Sequence, residues 1–253
     1  MRTNFLVQTV NGEIVHDFSF ALMRAKEYYA WLGEPFDVIF VEKVKKLKEI
    51  PATSSLRGLI PVGEVGFVSE FLRTYHSDAV EALRPLNVPE ILFPFAGRKI
   101  VNVLSAEDYV PMQGVKNIYA KSLDIIKDEH NGPFYDVPAN YQWKDFRRCQ
   151  VSELVDFVTK WRVFVFHGQI LYAANYSGDP LVFPGGTEIR RMVDTYTPEA
   201  PVAYTLDVAV DVKGRTVVVE CHRFFSCGLY GFNEPLKYPK MLSQAWFEIK
   251  NFK

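Results

Sequence analysis

Hydrophobic and polar positions in the first third of the chain repeat alternately with the periods of strands and helices. Helical spacing places Val65, Val68, Leu72 and Tyr75 on one stripe. Short apolar runs that alternate with amphipathic helices are typical of βαβ units, and they predict a small parallel sheet. The predicted strands are Asn4–Val10, Asp37–Val41 and Leu59–Val62, and the predicted helices are Ser19–Leu32 and Glu64–Tyr75.

The pattern changes near Ser77–Pro89, where charged residues and two prolines interrupt it. Asn87 is predicted to cap a short helix that runs to about Phe95. We expect an α+β protein, with a small N-terminal α/β lobe over residues 1–85 and a mostly antiparallel region over residues 86–253. The elements predicted for the second region are strands at Ile100–Leu104 and Gly114–Ala120, a polar loop at Lys121–Pro133, a hairpin of Lys160–Phe166 and Gln169–Tyr176, a helix at Thr187–Tyr196, a hairpin at Tyr204–His222 and a final helix at Tyr238–Phe252.

The hairpin near the C-terminus carries two carboxylates in runs that are otherwise rich in valine, YTLDVAVDVKGRTVVVECH. A two-residue turn at Lys213-Gly214 would place Asp207 directly opposite Glu220, with His222 next on the same face. Like charges at opposite positions destabilise a strand pair. The arrangement therefore predicts a cation between the two carboxylates.

Composition and charge narrow the classes of function. A chain of 253 residues, 48% of them hydrophobic, can build one or two domains with a sizeable core. The net charge of −1 gives no sign of the basic surface that nucleic-acid binding requires. No apolar run is long enough to span a bilayer and the N-terminus is too polar for a signal peptide, so we expect a cytoplasmic protein without a membrane partner.

The cysteines fit a reducing compartment, because the three of them form no CxxC motif and are odd in number. Zinc binding by Cys221, His222 and Cys227 is an alternative, but their spacing matches no familiar zinc finger.

Three further charged side chains lie beside or within apolar strands. Lys121 follows one such run, Lys127 comes shortly after it, and Arg162 lies inside WRVFVF. Lysines contact phosphate as point charges, arginine binds it in a bidentate manner, and two carboxylates hold Mg²⁺. Together with Asp207 and Glu220, these residues indicate a nucleoside-triphosphate site that lacks a P-loop. The structural alternative stays open for each: surface lysines, and an Arg162 that pairs with one of the carboxylates.

The order of these motifs resembles that of the ATP-grasp ligases, in particular the compact phage-type families. Their two phosphate-binding lysines correspond to Lys121 and Lys127 in IYAKSLDIIKDEHNGPF. Their hinge and following strand are similar to CQVSELVDFVTKWRVFVFHGQI, which contains Arg162. Their metal segment is similar to AYTLDVAVDVKGRTVVVECHRFFSCGLYG, which contains Asp207 and Glu220. LIPVGEVGFVSEFL in the N-terminal lobe is also similar, so the resemblance spans nearly the whole chain.

The resemblance implies an ATP-grasp fold in which ATP lies between two antiparallel sheets, its adenine against the hinge. It implies Mg²⁺, with Mn²⁺ as an alternative, and a carboxylate–amine ligase that acts through an acylphosphate. The acid and the amine are unidentified, and a peptide or protein is a candidate substrate. The implied site residues are Arg162 and Lys127 for catalysis, Lys121, Lys127, Ser152, Glu153, Leu154 and Lys160 for the nucleotide, and Asp207, Glu220 and His222 for the metal.

Two residues depart from the family pattern. Lys160 stands where an acid binds the ribose, and His222 stands where an asparagine follows the metal glutamate. They support an alternative hypothesis, a degenerate ATP-grasp protein that binds a nucleotide or a host protein without ligase activity. A ligase or kinase that acts on nucleic-acid ends is disfavoured, because the chain is nearly neutral.

Overall fold

The protein is described from a computed structural model that covers residues 4–49, 56–126, 128–138 and 148–252. The chain forms two compact units. The first takes the described residues of Met1–Leu83, Pro201–Tyr204 and Arg223–Lys253, and the second takes those of Arg84–Ala200 and Thr205–His222. The two predicted domains, 1–85 and 86–253, stay a prediction; in the fold the C-terminal segment belongs to the first unit.

The first unit contains the predicted parallel sheet, with β1 in the centre. Phe5, Leu6 and Val7 are all buried, because a central parallel strand is covered on both faces. Val68 and Leu72 of the predicted helical stripe are buried as well. The elements are strands β1 (Asn4–Gln8), β2 (Asp37–Val41) and β3 (Ile60–Val62), with helices α1 (Asp17–Trp31) and α2 (Val65–Tyr75).

The second unit is built on two four-stranded sheets, in the orders β4-β7-β5-β6 and β11-β10-β8-β9. The predicted hairpin across His167-Gly168 is confirmed, with Phe166 paired to Gln169. The elements are β4 (Ile100–Val103), β5 (Ile118–Ser122), β6 (Gly132–Phe134), β7 (Cys149–Glu153), β8 (Phe157–Phe166), β9 (Gln169–Gly178), helix α3 (Gly186–Tyr196), β10 (Ala203–Asp211) and β11 (Thr216–Arg223).

The turn between β10 and β11 differs from the prediction. The Asp211 N–H donates to the Arg215 carbonyl at 3.0 Å, and the Gly214 N–H donates to the Asp211 carbonyl at 2.9 Å. The turn therefore spans three residues, with Gly214 at φ 75°, and the predicted two-residue turn is wrong. The Asp211 carboxylate stabilises the longer turn, since it accepts hydrogen bonds from the backbone N–H groups of Lys213 (2.9 Å) and Arg215 (2.8 Å).

Asn87 does not cap a helix as predicted. The 3₁₀ helix Glu90–Phe95 begins after Pro89. Asn87 instead has a left-handed backbone, with φ 48°, and its main chain forms a bridge to Cys221.

Strand β5 begins and ends later than the sequence predicts. Gly114, at φ 80°, ends the preceding turn, and the strand starts only at Ile118. It ends at Ser122, so Lys121 lies inside the strand and pairs with Gln150 of β7 rather than standing in a loop. Strand β6 begins at Gly132, within the segment predicted as a loop, and ends one residue beyond that segment at Phe134.

The final helix, α4 (Tyr238–Lys250), starts where predicted and ends before Phe252. Proline at its first turn suits a helix start. Within the described part of the chain, no helix combines the length and the apolar character that a membrane span needs. The three cysteines are buried, and none of them is part of a disulfide.

Candidate active site

Two carboxylates and an imidazole converge in the second unit. One ligand atom from each of Asp207, Glu220 and His222 lies within 4.8 Å of the others. Asp207 comes from β10, whereas Glu220 and His222 come from β11. The predicted meeting of Asp207 and Glu220 therefore occurs despite the longer turn. Among the described residues this is the one group of acidic, histidine and cysteine side chains with the spacing of a metal site, and it contains no cysteine.

Asp207 forms a bidentate ion pair with Arg162 of the neighbouring strand β8. Arg162 Nε donates to Oδ1 at 2.7 Å and Nη2 donates to Oδ2 at 2.8 Å, and both side chains are buried. Burial alone would raise the pKa of Asp207, but the hydrogen bonds and charge of Arg162, helped by His222, hold it at about 2. Asp207 is therefore ionised at neutral pH. The salt bridge that the sequence left open for Arg162 exists, and it includes a candidate metal ligand.

His222 places an unsatisfied nitrogen at this centre. Its Nε2 atom is buried and has no hydrogen-bond partner among the described residues. It lies 3.3 Å from Glu220 Oε1 and 3.7 Å from Asp207 Oδ2. Burial lowers the pKa of His222, although Asp207 opposes the shift. A neutral imidazole results, which is the form that binds metals.

Lys121 contacts the second carboxylate, since its Nζ forms an ion pair with Glu220 Oε2. The pKa of Lys121 is lowered to about 8; burial is the largest cause, and the attraction of Asp207 opposes it. Repulsion from neighbouring cations adds to the lowering, so positive charge is crowded here. These cations are Arg162, Arg98 and Lys160.

A cavity of about 310 Å³ adjoins Lys121 and Glu220. Its walls combine aromatic and aliphatic surface with three cationic side chains, and such a mixture suits a nucleotide. The lining includes Asn87, Arg98, Tyr119, Lys121, Ser152, Glu153, Leu154, Val155, Phe157, Lys160, Tyr176 and Glu220.

Arg98 was missed by sequence reasoning. It donates to the carbonyls of Val218 at 2.8 Å and Val219 at 3.2 Å, on the strand that carries Glu220. Burial lowers its pKa to about 10, although Glu153 opposes the shift. The sequence signal is weak, a basic pair before a buried strand, because its partners lie 120 and 121 residues further along the chain.

The predicted hinge residues Ser152, Glu153 and Leu154 all line this cavity. Some of their backbone donors are already used. The Glu153 N–H donates to the Lys99 carbonyl at 3.0 Å, and the Leu154 N–H donates to the Asn117 carbonyl at 2.9 Å. These two N–H groups are therefore already bonded within the protein and are not available to a ligand in the cavity.

Lys160 also lines the cavity, with its Nζ 5.5 Å from the centre of the Phe157 ring. That distance is within the range of a cation–π contact. Lys127, the other predicted phosphate ligand, lies outside the described residues.

The donor set of the carboxylate cluster fits a divalent cation. Two carboxylates supply the oxygen ligands that Mg²⁺ prefers, while the unpartnered Nε2 of His222 is better suited to Mn²⁺ or another transition metal. The cavity beside the cluster likewise fits a nucleotide, because the half-buried Arg98 there contacts backbone carbonyls rather than a carboxylate.

The sequence model of the ATP-grasp domain, R2K clade family 2, matches residues 95–241. This chain belongs to the ATP-grasp family. The match covers more than half of the chain and includes Arg98, Lys121, Arg162 and the whole carboxylate cluster. A search of curated proteins found no match to the ATP-grasp chain.

Solved structures show that the ATP-grasp fold extends over the whole chain. The ligase PsnB, solved with a minimal precursor, has a TM-score of 0.55 at 11% identity and covers 96% of this chain and 100% of its own. A RiPP-associated ATP-grasp ligase from Chryseobacterium gregarium, solved with ADP and a leader and core peptide, has a TM-score of 0.53 at 11% identity, with coverages of 98% and 96%. D-alanyl-alanine synthetase A from Vibrio cholerae has a TM-score of 0.55 at 11% identity, with coverages of 98% and 97%.

We expect that replacing Arg162 by methionine destabilises the metal-free protein by about 3–5 kcal/mol at pH 7, because Asp207 is then a buried charge without its partner. The pair holds the pKa of Asp207 at about 2, below the unfolded value of roughly 3.9. The stabilisation by the pair is therefore fully present above about pH 4 and is lost as the pH falls toward 2. Urea unfolding in EDTA across this range measures it.

The matched control for this prediction is Arg190→Met, which removes an exposed arginine of α3 and should change stability by less than about 0.5 kcal/mol. The difference between Arg162→Met and the wild type should shrink in acid, because a protonated Asp207 no longer needs a cation. A difference that stays constant from pH 7 to pH 3 would contradict the assignment.

Proposed function

We propose that this protein is an ATP- and Mg²⁺-dependent ligase that joins a carboxylate to an amine through an acylphosphate. The observation that carries the proposal is the convergence of Lys121, Arg162, Asp207, Glu220 and His222 beside a cavity of about 310 Å³ with further cations in its wall. Family membership supports ATP as a substrate, and the similar enzymes solved with ADP support the same reading.

The nucleotide would occupy this cavity, with its adenine against the wall formed by Ser152, Glu153, Leu154 and Val155. Its phosphates would meet the cations. Lys121 and Arg98 act as donors toward the phosphate oxygens, and Lys127 is proposed to join them.

Asp207, Glu220 and His222 would hold the cation. When bound, the cation neutralises phosphate charge and aligns the phosphate groups for transfer. Both carboxylates are already paired with cationic side chains, Asp207 with Arg162 and Glu220 with Lys121. Binding of metal and nucleotide would therefore free Lys121 and Arg162 to contact phosphate oxygens.

In the proposed reaction, a carboxylate oxygen of the acid attacks the γ-phosphorus of ATP, and the bond from that phosphorus to ADP breaks. The amine nitrogen then attacks the carbonyl carbon of the acylphosphate. The bond from that carbon to the phosphate oxygen breaks, phosphate leaves with the electron pair, and the nitrogen loses a proton. Arg162 and Lys127 are proposed to stabilise the charge on the transferred phosphoryl group. Positioning and electrostatics supply most of the catalysis, and no side-chain nucleophile is needed.

A peptide or protein is the substrate class that we favour. Similarity to ligases solved with a precursor or with a leader and core peptide supports it. A cytoplasmic location, in the host cell if the protein is phage-encoded, stays a prediction.

Magnesium-ATP should raise the melting temperature of the wild type, because a ligand at 100 times its Kd stabilises the folded state by about 2.7 kcal/mol. Asp207→Asn and Glu220→Gln should lose most of this shift, since each removes a charged ligand. Glu199→Gln, which changes an exposed acid just after α3, should keep it. Thermal scans with and without ligand measure the shift within each variant, so a lower starting stability does not affect the result. No shift in the wild type would refute ATP binding.

His222→Asn should move the metal preference toward Mg²⁺, because it replaces an imidazole nitrogen by an amide oxygen. The readout is the ratio of ATP affinities measured by calorimetry with Mn²⁺ and with Mg²⁺. We expect the ratio to favour Mn²⁺ in the wild type and to fall about tenfold in the variant, which corresponds to about 1.4 kcal/mol. An unchanged ratio would show that His222 is not a ligand.

The second candidate function is nucleotide binding without catalysis. Lys160 favours it, because an ammonium has no acceptor for a ribose hydroxyl. The two carboxylates that are paired within the protein favour it as well. Sustained ADP release with peptides that contain aspartate or glutamate, together with a product 18 Da lighter than its components, is the result expected of a ligase. Binding of ATP without ADP release, in the presence of such peptides and amines, would favour the second candidate.

A further inference from the structure

Asn87 touches both sheets of the second unit at the point where the candidate site lies. Its backbone carbonyl accepts a hydrogen bond from the Cys221 N–H at 2.6 Å, and Cys221 stands between Glu220 and His222 on β11. Its side-chain Nδ2 donates to the Ser122 carbonyl at 2.9 Å, and Ser122 follows Lys121 on β5. One buried residue therefore joins the strand of the carboxylate cluster to the strand of the lysine.

The residue after Asn87 is fixed to the same sheet by a second pair of hydrogen bonds. The Val88 N–H donates to Gln150 Oε1 at 3.0 Å, and Gln150 Nε2 donates to the Val88 carbonyl at 2.9 Å. Gln150 lies directly opposite Lys121 in the pairing of β7 with β5. The segment 87–88 is thus hydrogen-bonded to Ser122, the residue after Lys121, and to Gln150, the residue paired with Lys121.

The backbone of Asn87 restricts which residues can do this. Its φ of 48° lies in the left-handed region, which glycine, asparagine and aspartate adopt more readily than most other residues. Of these three, asparagine alone carries a side-chain donor for the Ser122 carbonyl at neutral pH. The combination of this backbone conformation and two buried hydrogen bonds indicates a specific role rather than a general turn.

We propose that Asn87 is a positioning residue that holds β5 against β11, so that Lys121 and the Glu220–His222 pair act on one nucleotide. The inference rests on the proposed function for its effect on ATP, but the linkage itself is a property of the fold. Without the side-chain bond, we expect β5 and β11 to stay folded in their own sheets, still joined through the Asn87 carbonyl and the Val88–Gln150 hydrogen bonds but held less tightly in position.

Two variants remove the side-chain bond of the link in different ways and keep its backbone bond. Asn87→Gly keeps the left-handed backbone and deletes the side chain. Asn87→Asp keeps the shape and tolerates the same backbone, but it has no donor when ionised. Met112→Ala is the control for stability, because Met112 is fully buried in the core behind β5 and does not line the cavity.

The first readout needs no ligand. Both variants keep the Asn87 carbonyl that accepts from the Cys221 N–H, but they release Asn87 from the Ser122 carbonyl. Hydrogen exchange of the Cys221 amide, followed by mass spectrometry of peptides that cover β11, should therefore become about tenfold faster, since the loss of one hydrogen bond elsewhere in the link makes its opening easier by about that factor. Exchange in α3 should not change. Equal exchange of Cys221 in the wild type and both variants would overturn the linkage.

The second readout is ATP affinity in the presence of Mn²⁺ or Mg²⁺. We expect about a tenfold loss in Asn87→Gly, the variant that adds no charge to the cavity that Asn87 lines, and no loss in Met112→Ala, even where its melting temperature is the lower one. Wild-type affinity in Asn87→Gly, or an equal loss in the control, would overturn the positioning role. If the wild type itself does not bind ATP, the proposed function fails, and the exchange of Cys221 still decides whether Asn87 links the strands.

Discussion

The buried ion pair between Arg162 and Asp207 is the constraint on which the candidate site depends. Two charges removed from water cost several kcal/mol each, and a well-packed apolar pair at the same place is often as stable or more so. Bidentate geometry offsets part of that cost, but stability alone does not explain why β8 and β10 carry these residues. A functional reason for the pair is that Arg162 keeps the buried Asp207 ionised, which a carboxylate must be in order to bind a cation.

The cavity beside the carboxylate cluster carries cationic side chains, which are opposite in charge to the carboxylates. The chain as a whole is nearly neutral, with a net charge of −1. In contrast, Arg98, Lys121 and Lys160 line one cavity, and the pKa of Lys121 falls to about 8 there. The excess of positive charge is local to this cavity, because the chain as a whole is nearly neutral. A local positive charge suits a small anion rather than an extended polyanion.

The sequence predicted those parts of the fold in which local pattern decides the structure. Alternating residues predicted the β8–β9 hairpin, and helical periodicity predicted α2, α3 and the start of α4. The β10–β11 turn was wrong by one residue, because side-chain hydrogen bonds from Asp211 favour a longer turn that no hydrophobic pattern reveals. Lys121 was placed in a loop because β5 continues beyond its apolar residues to Ser122 through pairing with β7, which the local pattern does not reveal.

Some residues of the candidate site can be recognised in the sequence, and others cannot. Charged residues inside apolar strands, such as Arg162, Asp207 and Glu220, stand out in the sequence. Arg98 and Asn87 do not, because each acts through backbone carbonyls or N–H groups more than a hundred residues away, or on another sheet. Such contacts have no signature in the partner's side chain, so no motif marks them.

The contacts of Lys160 indicate a different role for this residue from the one that its departure from the family pattern implies. Its Nζ lies 5.5 Å from the centre of the Phe157 ring, and the guanidinium carbon of Arg98 lies 5.8 Å from the same centre. Two cations that share one ring repel each other, so an anion between or beside them would relieve the repulsion. If the proposed nucleotide binds here, Lys160 at the position where the resemblance implies an acid would give ribose hydroxyls no acceptor and would give phosphate a donor. A nucleotide bound here would be held more by its phosphates and less by its sugar.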